Sequence, residues 1–194
     1  MKISYLFLPI LLAALWAGCQ GESKNALTEE EQAKYTRTGQ DIVQNVATVI
    51  TTAVTKSLND GGVGRAAQYC SYIAIPMVDT LAANHGVKIR RTSDKIRNPK
   101  DAPTEREREV IEQYQQEKAA GKELKPLVEA IDPHTVAYYQ PILIQPLCLT
   151  CHGVLGETMT EENYSFIQYL YPDDQATGYA LGDVRGIFSL QIPR

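Results

Sequence analysis

From Thr28 onward, apolar residues recur at helical spacing, with Ile42, Val46, Val49, Ile50, Ala53 and Val54 on one stripe. Thr28 and Glu31 stand at N-cap and N3, a capping box that opens the helix, and "NDGG" at 59–62 closes it. A second helix follows over "RAAQYCSYIAIPMVDTLAANHG", with Ala66, Cys70, Ile73, Ala74 and Met77 on one face. Pro76 kinks it or starts a new segment, because proline lacks the N–H that a helix interior uses. Asn84-His85-Gly86 ends it, the glycine supplying the left-handed cap. "VKIRRTS" (87–93) then alternates apolar and basic residues as a strand, and "DKIRNPKDAP" reads as a loop. Thr104 with Glu107 caps a further helix that runs to about Ala120 and turns Val110, Ile111 and Tyr114 inward. "AGKELKP" breaks the pattern, "TVAYYQPILI" (135–144) is a strand, and "TEENYSFIQYL" (160–170) is a helix capped by Thr160. "YPDDQATGYALGD" is a turn-rich loop, and "VRGIFSLQIP" is a closing strand.

Helices followed by separated strands, without regular βαβ alternation, predict one α+β domain on an antiparallel sheet. The 194 residues are 44% hydrophobic and 22% charged, which suits a folded domain with its own core. Net charge is −4, and no basic block exceeds Arg90-Arg91, so nucleic acid is not an expected partner.

The first residues follow another logic. "MKISYLFLPILLAALWAGC" has one lysine, an apolar run and small residues before Cys19, the layout of a secretory signal too short for a comfortable membrane span. "LWAGC" resembles a bacterial lipoprotein cleavage box, with Trp16 where leucine is usual. The expected organisation is a signal peptide at 1–18, a lipidated tether at 19–27 beginning with Cys19, and a domain at 28–194. A plain cleaved signal is the competing reading. Either way the mature chain lies outside the cytoplasm, and Gln20 after Cys19 leans towards the outer membrane.

Four cysteines remain to be accounted for: Cys19, Cys70, Cys148 and Cys151. With Cys19 lipidated, three are left, and an odd number cannot form a pure disulfide framework. Cys148-Leu149-Thr150-Cys151-His152 has the spacing that attaches c-type haem. Two thiols three apart on a helical turn face the same way and reach two vinyl groups of one porphyrin, while the next histidine sits under the iron. A redox dithiol would want a strand-turn-helix setting, and zinc would want a second close ligand pair. The second axial ligand stays open on spacing alone: Cys70, Met77, Met159, His85 and His134 are all candidates. Met77 also reads as core filler, His85 as a cap, and His134 in "DPHT" as a loop residue. Cys70 sits beside Ala66 and Ala74, where a flat ring could approach, though a buried cysteine is often a small hydrophobe.

The segments "AAQYCSYIA", "VKIRRTSDKIRNPKDAPTERE", "YYQPI", "CLTCHG" and "YPDDQATGYALGDVRG" resemble a bacterial family of single-haem c-type proteins, the cyanobacterial Tll-type haem domain. The resemblance runs from the first helix to Arg194. It implies a PAS-like antiparallel sheet flanked by N-terminal long helices. It also implies covalent haem c on Cys148 and Cys151, with iron held between His152 and Cys70. Arg90, Arg91 and Arg97 are candidates to neutralise the haem propionates, the competing reading being a solvated strand face. Peroxidase chemistry would need a distal acid–base residue, and His85 or His134 could serve only if the fold brought them in, so a non-enzymatic role is expected. Electron transfer to a redox partner in the cell envelope comes first. The alternative is a redox or gas sensor that signals through a separate partner protein, since relatives form sensor halves of signalling proteins.

Overall fold

The computed structural model describes residues 26–194; the signal segment, Cys19 and most of the tether lie outside the described residues. Helix α1 spans Glu29–Tyr72 and opens with the capping box, Thr28 accepting from the Glu31 N–H and Glu31 from the Thr28 N–H. Its path breaks at Gly61 (φ −169°, ψ 28°) and Gly62 (φ 65°, ψ −161°), so it is two helical segments in one run. The "NDGG" stop is therefore a break between segments. A residue with a β-carbon would be strained at Gly62.

Helix α2 spans Ala74–His85 and ends on Gly86 at φ 65°. Pro76 is its third residue, where the missing N–H would have had no intrahelical partner. The new helix starts at Ala74, and Ile73 at the junction is 53% exposed instead of lying on the inward face. Strand β1 (Lys88–Thr92), helix α3 (Glu105–Ala119), strands β2 (Leu127–Asp132) and β3 (Thr135–Leu143) follow. Then come the short helix α4 (Leu149–His152), helix α5 (Glu161–Leu170) and strand β4 (Val184–Pro193).

The four strands form one antiparallel sheet in the order β1-β4-β3-β2, so the domain is α+β as expected. Strand β2 is an element that the sequence pattern does not predict. Consecutive residues of β3 are buried on both sides, because helices cover both faces. Val136 and Tyr138 pack with Ile42, Val43 and Val46 of α1 and with Val78 and Ala82 of α2. Ala137 and Tyr139 pack with Val110, Ile111 and Tyr114 of α3. Each fully buried aliphatic side chain contributes about 1.5–3 kcal/mol of transfer free energy. A β-carbon at Gly39 of α1 would clash with the Tyr138 ring, so this glycine is what lets helix and sheet approach. Val63 and Ala67, in the second segment of α1, make a smaller cluster with Met159, Ile167 and Tyr171. The ends of β1 and β3 and the start of β4 meet this second segment at one end of the sheet.

Candidate functional site

The motif cysteines sit on a tight double turn. Pro146–Cys148 is a 3-10 turn that runs directly into α4, and Gly153 N–H closes that helix on the Leu149 carbonyl at 2.9 Å. Residues three apart on such a turn share a face, so Cys148 and Cys151 both line one cavity of about 350 Å³. His152 lines it too, as does Cys70 from the second segment of α1. All three cysteines are free thiols. Burial pushes the Cys151 thiol up to about 11 against the pull of Arg97, and it raises the Cys70 thiol against Arg91 and Arg97.

The motif histidine is held in a defined state. His152 Nδ1 lies 2.8 Å from the Ala176 carbonyl oxygen, which can only accept, so Nδ1 carries the proton and Nε2 is left with its lone pair. Burial, with the charges of Arg97, Arg185 and Arg91 adding to it, holds the imidazole well below its ordinary range and keeps it neutral. The loop that supplies Ala176 is fastened to α4 by backbone: Gly178 N–H to the Gly153 carbonyl (2.8 Å) and Tyr179 N–H to the His152 carbonyl (3.0 Å). The Tyr179 ring meets the imidazole edge-on, centroids 6.3 Å apart.

The rest of the cavity wall is apolar on the α1 side, with Ile50, Val54, Ala66 and Ala67, and cationic at the end of the sheet, with Arg91 and Arg185. The donor set fits a flat apolar group that carries carboxylates and a metal. There is one neutral imidazole with a free nitrogen, three thiols, a low wall of alanines and arginines at one end. Among the described residues no group of three or more His, Cys, Asp or Glu side chains is arranged to hold a bare metal ion.

The sequence matches the Tll0287-like family over residues 23–193. The chain belongs to that family. A solved structure, the crystal structure of the cyanobacterial heme-protein Tll0287, is similar at a TM-score of 0.57 and 24% identity, covering 87% of this chain and 98% of that one. No curated protein matches the sequence.

In this Tll0287-like chain the candidates for a second ligand separate cleanly by position. Cys70 alone among them lines the cavity with His152. Met77 Sδ accepts from Tyr69 Oη at 3.0 Å, and Met159 is buried among Val63, Ala67 and Ile167. His85 is exposed, 3.4 Å from Asn45, and His134 is exposed in the turn between β2 and β3.

Of the three arginines singled out in the sequence, two line the cavity. Successive strand residues point to opposite faces, so Arg91 lines the cavity while Arg90 does not. Arg90 instead donates to the Ala102 carbonyl at 2.6 Å, with Glu107 at 3.7 Å. Arg97 reaches the cavity wall, but its guanidinium is taken by Asp174 (Nε–Oδ1 2.9 Å, Nη2–Oδ2 3.0 Å) and by the Cys151 carbonyl (2.6 Å). Arg185 is a cation that sequence reasoning missed. It lines the cavity from β4, donates to the Lys95 carbonyl (3.2 Å), and stacks on Tyr179 with its guanidinium carbon 5.5 Å from the ring centroid. Burial lowers its basicity. The signal is there in "VRGIF", a lone cation inside an otherwise apolar strand. Asp101 faces the same cavity, its carboxyl raised by burial against Arg91 and Arg185.

Proposed function

We propose that this chain is a c-type haem protein of the cell envelope that transfers single electrons. One observation carries the reading. Cys148, Cys151, His152 and Cys70, distant in part along the chain, line one cavity, and the Ala176 carbonyl holds the proton of the histidine on Nδ1 so that Nε2 keeps its lone pair. Haem-protein character in the similar cyanobacterial structure supports it.

When bound, haem iron would supply the one-electron chemistry. Cys148 and Cys151 would form the two thioether bonds, and His152 Nε2 and Cys70 Sγ would hold the iron. Burial of Cys70 keeps it a thiol when nothing is bound, so it ligates as a thiolate only by giving up its proton. A thiolate donates charge to ferric iron, and Cys70 would therefore keep the potential low beside a His/Met pair. Arg91 and Arg185 would face the propionates, since no carboxylate lies within ion-pair distance of either among the described residues. The role is that of a carrier, not a catalyst. Attachment to a membrane through lipid on Cys19, with a redox partner protein in the same compartment, completes the proposal.

A second reading is redox or gas sensing on a PAS-like sheet, with output through a separate protein. The break at Gly61-Gly62 favours it, because it separates the segment that carries Cys70 from the long first segment of α1. Release of Cys70 would then be free to move one segment without unwinding the other. The deciding experiment is expression with a cytochrome maturation system, a pyridine haemochrome assay and electron paramagnetic resonance of the ferric protein. A covalent haem with a low-spin thiolate signal is expected, and Cys70→Ser should abolish that signal. An unchanged ferric spectrum in Cys70→Ser removes Cys70 from the iron. Rapid displacement by carbon monoxide or nitric oxide would move the reading from transfer to sensing.

A further inference from the structure

Arg97 and Asp174 hold the backbone groups on which His152 depends, and we propose that this ion pair positions the imidazole and tunes how strongly Nε2 donates. The proposal rests on the haem reading for its iron-based readouts. Asp174 is fully buried at its side chain and Arg97 is 12% exposed. A pair this deep gains little stability over apolar residues of similar volume, so its placement asks for another reason.

The contacts supply one. Asp174 Oδ1 accepts from the Ala176 N–H at 3.0 Å as well as from Arg97 Nε. Arg97 Nη2 donates to the Cys151 carbonyl at 2.6 Å and reaches the Ala176 carbonyl oxygen at 3.3 Å. That same oxygen accepts the His152 Nδ1 proton at 2.8 Å. One guanidinium thus ties the peptide carbonyl next to His152 to the carbonyl against which His152 is braced. The carboxylate fixes the second of these from its N–H side.

The arrangement also sets a competition. Ala176 O is shared between a cation and the imidazole N–H, and the cation draws electron density that the imidazole hydrogen bond would otherwise use. Without Arg97, the Nδ1–H bond to Ala176 strengthens, the ring becomes more electron-rich, and ferric iron is favoured. Without the charge on Asp174, the guanidinium bears wholly on the two carbonyls and the imidazole bond weakens.

The test compares Arg97→Gln, Arg97→Lys and Asp174→Asn in the haem-loaded full chain, reading the reduction potential and the His152 Nδ1–H resonance of protein labelled with ¹⁵N-histidine. The potential should fall in Arg97→Gln and rise in Asp174→Asn. Simple through-space charge predicts the same two signs, so Arg97→Lys decides. Lysine keeps the charge and loses the planar fork. A potential that falls in Arg97→Lys, with the Nδ1–H resonance moved downfield, supports the proposal. Wild-type values of both in Arg97→Lys overturn it. Should Arg97→Lys not fold, Asp174→Asn, which has the same shape and retains an acceptor for Ala176, decides in its place. An upfield shift of the resonance supports the proposal and an unmoved one overturns it. If the wild type proves colourless the haem reading fails, while the same resonance still judges the clamp.

Discussion

Gly153 follows the motif histidine because no β-carbon fits there. Its backbone is ordinary (φ −72°), but an added carbon would fall on Thr158 Oγ1 and lie 2.6 Å from the Leu149 carbonyl oxygen. Gly153→Ala should therefore destabilise the protein by about 1–3 kcal/mol, the usual range for forced overpacking. Denaturant unfolding would measure it, and Thr158→Ala in the same chain should recover only part, since the carbonyl contact remains. Arg185 and Arg90 provide a matched pair. Arg185→Gln removes a cation from the cavity wall and should lower the reduction potential of the haem-loaded protein, while Arg90→Gln should leave it unchanged. Equal effects in the two would dissociate Arg185 from the site. At this scale the motif is legible, because Cys148, Cys151 and His152 are neighbours in sequence and their spacing alone states the geometry. Asp174 carries no such signal, and Arg185 stands out in "VRGIF" only as a lone cation without a role. Asp174 acquires its meaning from Arg97, 77 residues away, and Arg185 from a cavity wall that exists only once the sheet has formed.

Elements are legible wherever local chemistry marks their ends. The capping boxes at Thr28 and Thr104 and the Gly86 cap fall where the residues place them. Strand β2 is hidden because it is an edge strand with one partner. Its side chains need not alternate cleanly, and Ile131 is 48% exposed. The junction at Ile73 is announced by Pro76, which fits only the first turn of a new helix, while helical periodicity running through it hides the exact residue. The break in α1 gives a test at its own level. Gly62 holds φ 65° and ψ −161°, a region open essentially to glycine, so Gly62→Ala should cost about 1–3 kcal/mol. Nothing lies within 4 Å of an added β-carbon, so the loss would come from backbone strain and not from a clash. Calorimetry of Gly62→Ala beside Gly121→Ala, an exposed left-handed turn glycine, would show whether the α1 break carries a cost beyond the ordinary turn.

Across the molecule, the first described helix and the last residue are joined. Arg194 binds Glu31 through two hydrogen bonds of 3.0 and 2.9 Å, and this pairing, with the Thr28 N–H, holds the Glu31 carboxyl down to about 2 from an ordinary 4.5. A carboxylate with a depressed value contributes stability that is complete above its ordinary value and is lost as pH falls towards the depressed one. Arg194→Gln should accordingly lower Tm slightly at neutral pH, as suits an exposed pair, and the mutant and wild-type curves should converge on the acid side. The sheet order carries a larger consequence. The fourth strand in chain order, Val184–Pro193, lies between β1 and β3 and supplies the ladders to both. Until that segment arrives, the two earlier strands have no lane to share and the CxxCH turn stands beside an unfinished wall. A ribosome must thus release every strand through Pro193 before the pocket can close, which leaves an interval in which both motif thiols stay open to solvent and to other molecules.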